Sequence, residues 1–157
     1  FQTVEQGLRM LGQGQKVDEL VLAMNRAAEK AAPAAKDIFW SAIKEMTFED
    51  ARRILSGGDT AATDYFRAKT SETLTAAFRP VVDASMTEVG VVQQYKQLLS
   101  AYQSVPFASA LPSFDIETYV VSKALDGLFT VLGEQERKIR TDPAAQVTSL
   151  LKKVFAK

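Results

Sequence analysis

The sequence contains no cysteine and no histidine, and only one tryptophan and one asparagine, among 157 residues. Without cysteine there is neither a disulfide framework nor a thiolate metal site. Without histidine the commonest transition-metal ligand, the usual neutral-pH proton carrier and the Ser-His-Asp type of nucleophile activation are all missing. Carboxylate, Lys, Arg, Tyr and hydroxyl chemistry is what remains. Charge of one sign is lacking too: 19 basic and 19 acidic residues sum to zero, with no long block of either. This leaves no electrostatic footprint for nucleic acid or anionic lipid. No apolar run reaches the roughly 18 residues of a membrane span, and no charged-then-apolar leader opens the chain.

What is present is apolar spacing of helical period almost throughout, with no sustained strand alternation. The length suits one domain with a single core. The expected fold is therefore all-α, a single-domain multi-helix bundle over residues 1–157, packed around a long central helix at about 116–140. A first helix is predicted from Thr3 to Leu11, stopped at Gly12–Gln15. The next carries Val17, Leu20, Val21, Met24, Ala28 and Ala31 on its buried face and ends before Pro33. A third has Ile38, Phe39, Ala42, Ile43 and Met46 as its stripe. Thr47, with Asp50 three residues on, imitates a capping box and opens a helix that ends near Leu55. Helices over Thr60–Lys69 and Ser71–Glu88 are expected next, with a kink or break near Phe78–Pro80, because proline removes a donor and crowds the preceding turn. Gly90 separates these from a helical VVQQYKQLLSAYQSV, and Pro106–Phe114 reads as a loop. Asp115 caps the longest helix, in which Gly127 is expected to permit a close helix approach, and Asp142 with Pro143 opens a last helix to Phe155.

Several stretches invite a functional reading. SGGDTAAT, Ser56–Thr63, sets two glycines ahead of a helix start, as a phosphate cradle does. The P-loop spacing is absent, however. A left-handed Gly57 ending one helix, with Asp59 or Thr60 capping the next, accounts for the same residues. Gly7, Gly12 and Gly14 fail both the P-loop and the dinucleotide pattern, since Gln13 stands where Lys is needed and Val17 where glycine is. Asn25 and Glu29 lie one turn apart, with Asp18 and Leu22 on the same flank. Lys123 and Asp126 form an i,i+3 pair, with Thr130 and Arg137 continuing that side, while Glu136 precedes Arg140 by four residues, the favourable order. Such pairs usually sit in solvent. Any cleft beside this helix would nevertheless have Lys123, Asp126 or Arg140 in its wall. No spacing of carboxylates singles out a catalytic pair, and none reproduces a calcium loop.

The segments MNRAAE (24–29), MTFEDARRILSGGDTAATDYFR (46–67), YVVSKALDGLF (119–129) and ERKIRTDP with LLKKVF resemble the bacterial family known as domain of unknown function 4197, over nearly the whole chain. The family has no established activity to carry over. Its members typically have an export leader, sometimes of lipoprotein type, and a further segment before the region that starts here at Phe1. The resemblance thus implies a periplasmic or cell-envelope protein, the lipid anchor of the lipoprotein-type members lying on that preceding segment. In GLFTVLGEQE, Gly133 and Gln135 depart from the family pattern of alanine and a more acidic run, which argues against a cation-binding acidic cluster here. The family motifs fall on Asn25, Arg26, Glu29, Asp59, Thr63, Tyr65, Arg67, Lys123, Asp126, Glu136 and Arg140, which are the candidate ligand-binding residues.

These observations leave three functional readings. The leading one is a non-enzymatic binding module for a protein partner or small ligand in a groove beside the central helix, with no cofactor, no metal and no nucleic acid. The second is a hydrolase or transferase using carboxylates, with Arg67 or Arg140 as an anion clamp. The third is a structural assembly subunit with an exposed apolar patch.

Overall fold

The computed structural model describes residues 5, 6, 9, 10, 12–88, 93, 95–97, 100 and 115–155. Among them there is no strand. The helices with described bounds are α1 (Gly14–Ala31), α2 (Ala35–Lys44), α3 (Phe48–Ser56), α4 (Ala61–Glu88), α5 (Ile116–Thr141) and α6 (Ser149–Phe155), with short 3-10 turns at Ala32–Ala34 and Pro143–Ala145. Residues 5, 6, 9, 10, 93, 95–97 and 100 are helical as well. The all-α expectation holds. Gly90, the loop at Pro106–Phe114 and much of the predicted Thr3–Leu11 helix lie outside the described residues.

The helices distribute between two compact units, Phe1–Pro33 with Ala76–Ala124, and Ala34–Thr75 with Leu125–Lys157, so that α4 and α5 each contribute to both. In the first unit α1 buries Val17, Leu20, Ala23, Met24, Ala27 and Ala31. The observed stripe thus runs through Ala23 and Ala27, and the predicted Val21 and Ala28 are only half-buried at its edge. Small residues there let neighbouring side chains come close to the α1 backbone. Phe78, Val82 and Met86 of α4 and Ile116, Val120 and Val121 of α5 complete this core. An exposed ion pair joins Lys30 to Glu88 at 2.7 Å.

The second unit is built on aromatic rings. Phe39 of α2 meets Phe66 of α4 edge-on at 5.3 Å and Phe129 of α5 at 6.1 Å, and Tyr65 meets Phe66 at 5.6 Å. These T-shaped contacts are the favoured arrangement for ring quadrupoles. Ala42 is buried beside them, whereas Ile43, expected on the same stripe, is exposed. The Thr47 capping box forms as predicted: the Thr47 hydroxyl accepts from the Asp50 amide at 3.1 Å, and the Asp50 carboxylate accepts from the Thr47 amide at 3.2 Å.

Four local expectations are corrected. The two helices predicted over 60–88 are one, α4, which at 28 residues is longer than the 26 of α5. It runs unbroken through Pro80 because Ala76, whose carbonyl loses its donor, and Pro80 itself are both exposed, so water can replace the missing bond. Buried Phe78 and Val82 flank the proline on the inner side. Second, Gly127 has open space around it, and the glycine in a close helix approach is the buried Gly133, where an added Cβ would lie 3.4 Å from Thr60 Cγ2 and 3.7 Å from Thr63 Cγ2. Third, Gly57 is extended (φ −81°, ψ −177°) rather than left-handed. It is required by space: an added Cβ would sit 2.5 Å from Ala61 Cβ and 2.8 Å from the Arg53 carbonyl. Among the described residues the left-handed glycine is Gly12, at φ 74°, where the expected stop before α1 occurs. Fourth, Asp142 and Pro143 start only a 3-10 turn, and α6 begins separately at Ser149.

These glycines are predicted to respond differently to alanine. Gly127→Ala is expected to raise unfolding free energy by about 1 kcal/mol from helix propensity, and Gly133→Ala by less, since its methyl would press against Thr60 Cγ2 at 3.4 Å and offset part of the gain. Gly57→Ala is expected to destabilise. Urea unfolding of the three variants checks the order.

Candidate ligand-binding site

The two glycines of SGGDTAAT join the end of α3 to the start of α4, and the amides they lead to are not free to cradle an anion from outside. The carboxylate of Glu136, on α5, already fills that place. Its Oε1 accepts from the Ala62 amide at 2.8 Å, and its Oε2 accepts from the Thr63 amide and the Thr63 hydroxyl, each at 2.7 Å. First-turn amides have no partner within their own helix and carry the positive end of its dipole, so a carboxylate there satisfies both needs at once.

Arg140, one turn further along α5, completes the junction. Its Nε donates to Glu136 Oε1 at 2.8 Å, and its Nη2 donates to the Ile54 carbonyl, near the end of α3, at 2.8 Å. Nη2 also lies 2.7 Å from Glu136 Oε1, and the two side chains are only 9% and 10% exposed. The guanidinium carbon lies over the Phe155 ring of α6, 5.3 Å from its centroid. The same end of α5 is tied to the connection into α6: the buried Gln146 donates through Nε2 to the Ile139 carbonyl at 3.0 Å. Burial pushes the Glu136 carboxyl up, but the Ala62 amide, the Thr63 hydroxyl and amide, and Arg140 together outweigh it and hold the group below the usual glutamate range.

Against this pair lies a cleft of about 230 Å³, whose apolar wall is Ile54, Phe66, Leu132, Ile139, Leu151 and Phe155. Two further clefts share Tyr65 and Lys69. One, of about 400 Å³, lies between α2 and α4 with Asp37 and Glu45; the other, of about 530 Å³, lies between α3 and α4 with Asp50 and Asp64.

Of the eleven residues singled out by sequence, Thr63, Glu136 and Arg140 meet at this junction. Asp59 lies next to it, in an exposed ion pair with Arg137 at 3.9 Å. Arg67, one turn after Thr63, stacks over Phe129 at 4.6 Å and pairs with Asp126 at 3.7 Å, both partners about half-exposed. Tyr65 is half-buried and donates to the Ala42 carbonyl at 3.3 Å, and its hydroxyl is pushed to a higher pKa by burial, with Asp50 and Glu45 adding to the effect. Lys123 lies over the Tyr119 ring at 5.8 Å. Asn25, Arg26 and Glu29 are exposed on α1 and take no part in the Glu136 network.

The expectation that Glu136 and Arg140 form a solvated pair is thus corrected, because both point into the junction. Sequence reasoning misses the Ile54 carbonyl, the Ala62 amide, Gln146 and the apolar wall from α6. The one signal for the close approach is Gly133, three residues before Glu136. Among the described residues no group of three or more carboxylates is placed to hold a metal ion, and no helix is long and apolar enough to cross a membrane.

The class defined by these features is an all-helical protein with an internally capped helix junction and an adjoining apolar cleft. The chain belongs to the family described as Protein of unknown function (DUF4197), whose model matches residues 1–156. No curated protein and no solved structure matches it.

Removing the carboxylate charge tests the junction. Glu136→Gln would leave Arg140 buried without a counter-charge and is expected to cost about 3 kcal/mol, lowering Tm by roughly 6–12 °C. The folded-state pKa of Glu136 is depressed, so its stabilisation is present above the ordinary glutamate value and fades as pH falls below about 4.3. The acid loss of stability, measured by urea unfolding between pH 3 and 7, is expected to be shallower in Glu136→Gln.

Proposed function

We propose that this protein is a non-enzymatic binding module of the bacterial cell envelope, and that its ligand or partner group is seated in the apolar cleft against α5. The observation that carries the reading is the cleft itself: six apolar side chains from α3, α4, α5 and α6 line about 230 Å³ directly beside the buried Glu136 and Arg140. A concave apolar surface with a few convergent polar groups is the usual form of a small-molecule or side-chain pocket. The envelope location rests on the family resemblance, whose members typically carry an export leader.

An enzyme built on an Arg anion clamp receives little support at this junction. One carboxylate meets Arg140 there, its oxygens are already occupied by four donors, and its pKa is lowered rather than raised toward neutrality. A general acid or base needs the opposite. A second reading, an assembly subunit, draws on single exposed apolar side chains in the same unit, Phe48 at 97% and Val147 at 82%.

A thermal-shift panel of phosphates, sugars, divalent cations, lipids and peptidoglycan fragments tests the module, since a ligand bound only by the folded form raises Tm. At least one apolar class is expected to raise Tm in the natural sequence and to lose its effect in Leu151→Trp, which fills the cleft. A ligand shift that survives Leu151→Trp would move the site elsewhere. A silent panel with concentration-dependent association in light scattering would favour assembly.

A further inference from the structure

We infer that the cleft between α2 and α4 binds a free zwitterionic peptide of dipeptide size, its ammonium at Glu45 and its carboxylate at Lys69. This site is separate from the apolar cleft against α5 and does not rest on the reading of that cleft. Its walls are two polar ladders of one-turn spacing. Asp37, Ser41 and Glu45 run along α2 and its C-terminal cap, and Tyr65, Lys69 and Thr73 run along α4. Positions i, i+4 and i+8 share one face of a helix.

The scaffold leaves the charges of this cleft unused. Lys69 lines both this cleft and the one against α3, so Asp37, Glu45, Asp50 and Asp64 all belong to walls that it shares. It makes no ion pair or hydrogen bond with any of them. The carboxylates of Asp37 and Glu45 likewise have no ion-pair or hydrogen-bond partner among the described residues. Opposite charges kept apart on one concave wall are complementary to a molecule that carries both signs at a matching distance.

The spacing selects the ligand. Tyr65 locates the Glu45 end: its hydroxyl donates to the Ala42 carbonyl at 3.3 Å, and Glu45 adds to burial and Asp50 in raising its pKa. The phenolic oxygen keeps its capacity to accept from an ammonium. Lys69 follows Tyr65 by one turn, about 6 Å along α4. Two extended residues span at most about 7 Å, so a dipeptide reaches from one end to the other and a single amino acid does not. The cleft volume of about 400 Å³ lies within the usual range for a small ligand. Asp37 leaves one surplus negative charge, which opposes a purely anionic ligand.

The test is a backbone-amide NMR titration of the natural sequence with alanylalanine, its N-acetyl form and its C-terminal amide. Exposed charge pairs contribute little each, so binding is expected in the millimolar range, with saturable shifts at Ser41, Tyr65 and Lys69. The amide is expected to bind about threefold more weakly through loss of one exposed pair, and the acetylated form more weakly still. Glu45→Gln is expected to bring the free peptide down toward the acetylated one, and Lys69→Gln to bring it down to the amide. Both positions are exposed, so neither change threatens the fold. Equal binding of all three forms overturns the inference, as does the lack of a saturable shift at these amides. Shifts confined to Leu132 and Leu151 would seat the peptide in the apolar cleft and overturn it too, leaving that cleft's own reading intact. Acetylated peptide binding as tightly as the free form, with the amide weaker, would point to a protein C-terminus and likewise overturn the free dipeptide.

Discussion

The Glu136 carboxylate on the first amides of α4 is the contact on which the second unit depends. Three segments distant in sequence end at it: the last turn of α3 through the Ile54 carbonyl and Arg140, the first turn of α4 through the Ala62 and Thr63 amides, and α5, which carries both charged side chains. Burying an ion pair costs desolvation that attraction alone seldom repays. Here the offset comes from hydrogen bonds that the helix ends would otherwise lack, since unpaired amides and carbonyls at a buried terminus are themselves costly. The pair and the junction each remove the other's penalty.

That saturation also shapes what the site can do. A carboxylate whose two oxygens accept four bonds is held ionised and is not available to move protons. Its role is positional: it fixes Arg140, whose guanidinium carbon lies over the Phe155 ring of α6. The apolar wall of the cleft is thus assembled around a charged pair that belongs to the scaffold, and chemistry directed at an outside molecule is left to groups the scaffold does not use.

Local features are legible where their physics is local. The Thr47–Asp50 box, the Asp115 cap whose carboxylate accepts from the Thr118 amide, and the stop at Gly12 each involve neighbours in sequence, and each forms. Pro80 departs from its local reading because proline's effect depends on which side of the helix the lost bond faces, and burial decides that. Gly57 has the expected task, ending one helix before another, for a different reason: it needs space beside Ala61 rather than a left-handed backbone. Glu136 and Arg140 are legible as a pair but not as a buried one. An i,i+4 spacing says that two side chains share a flank, and nothing in it says what packs against that flank.

The sequence by itself determined that the chain is helical, where most helices begin and end, which chemistries it lacks, and to which family it belongs, because apolar period, caps and residue identity are properties of short stretches. Only the tertiary structure decided that an acid on α5 would close the start of α4, that Gly133 and not Gly127 would sit at the close contact, and that α6 would help wall a cleft. Those outcomes join residues more than 70 positions apart, as with Glu136 and Thr63, and such partners are selected by the packing of whole helix faces, which no local pattern encodes.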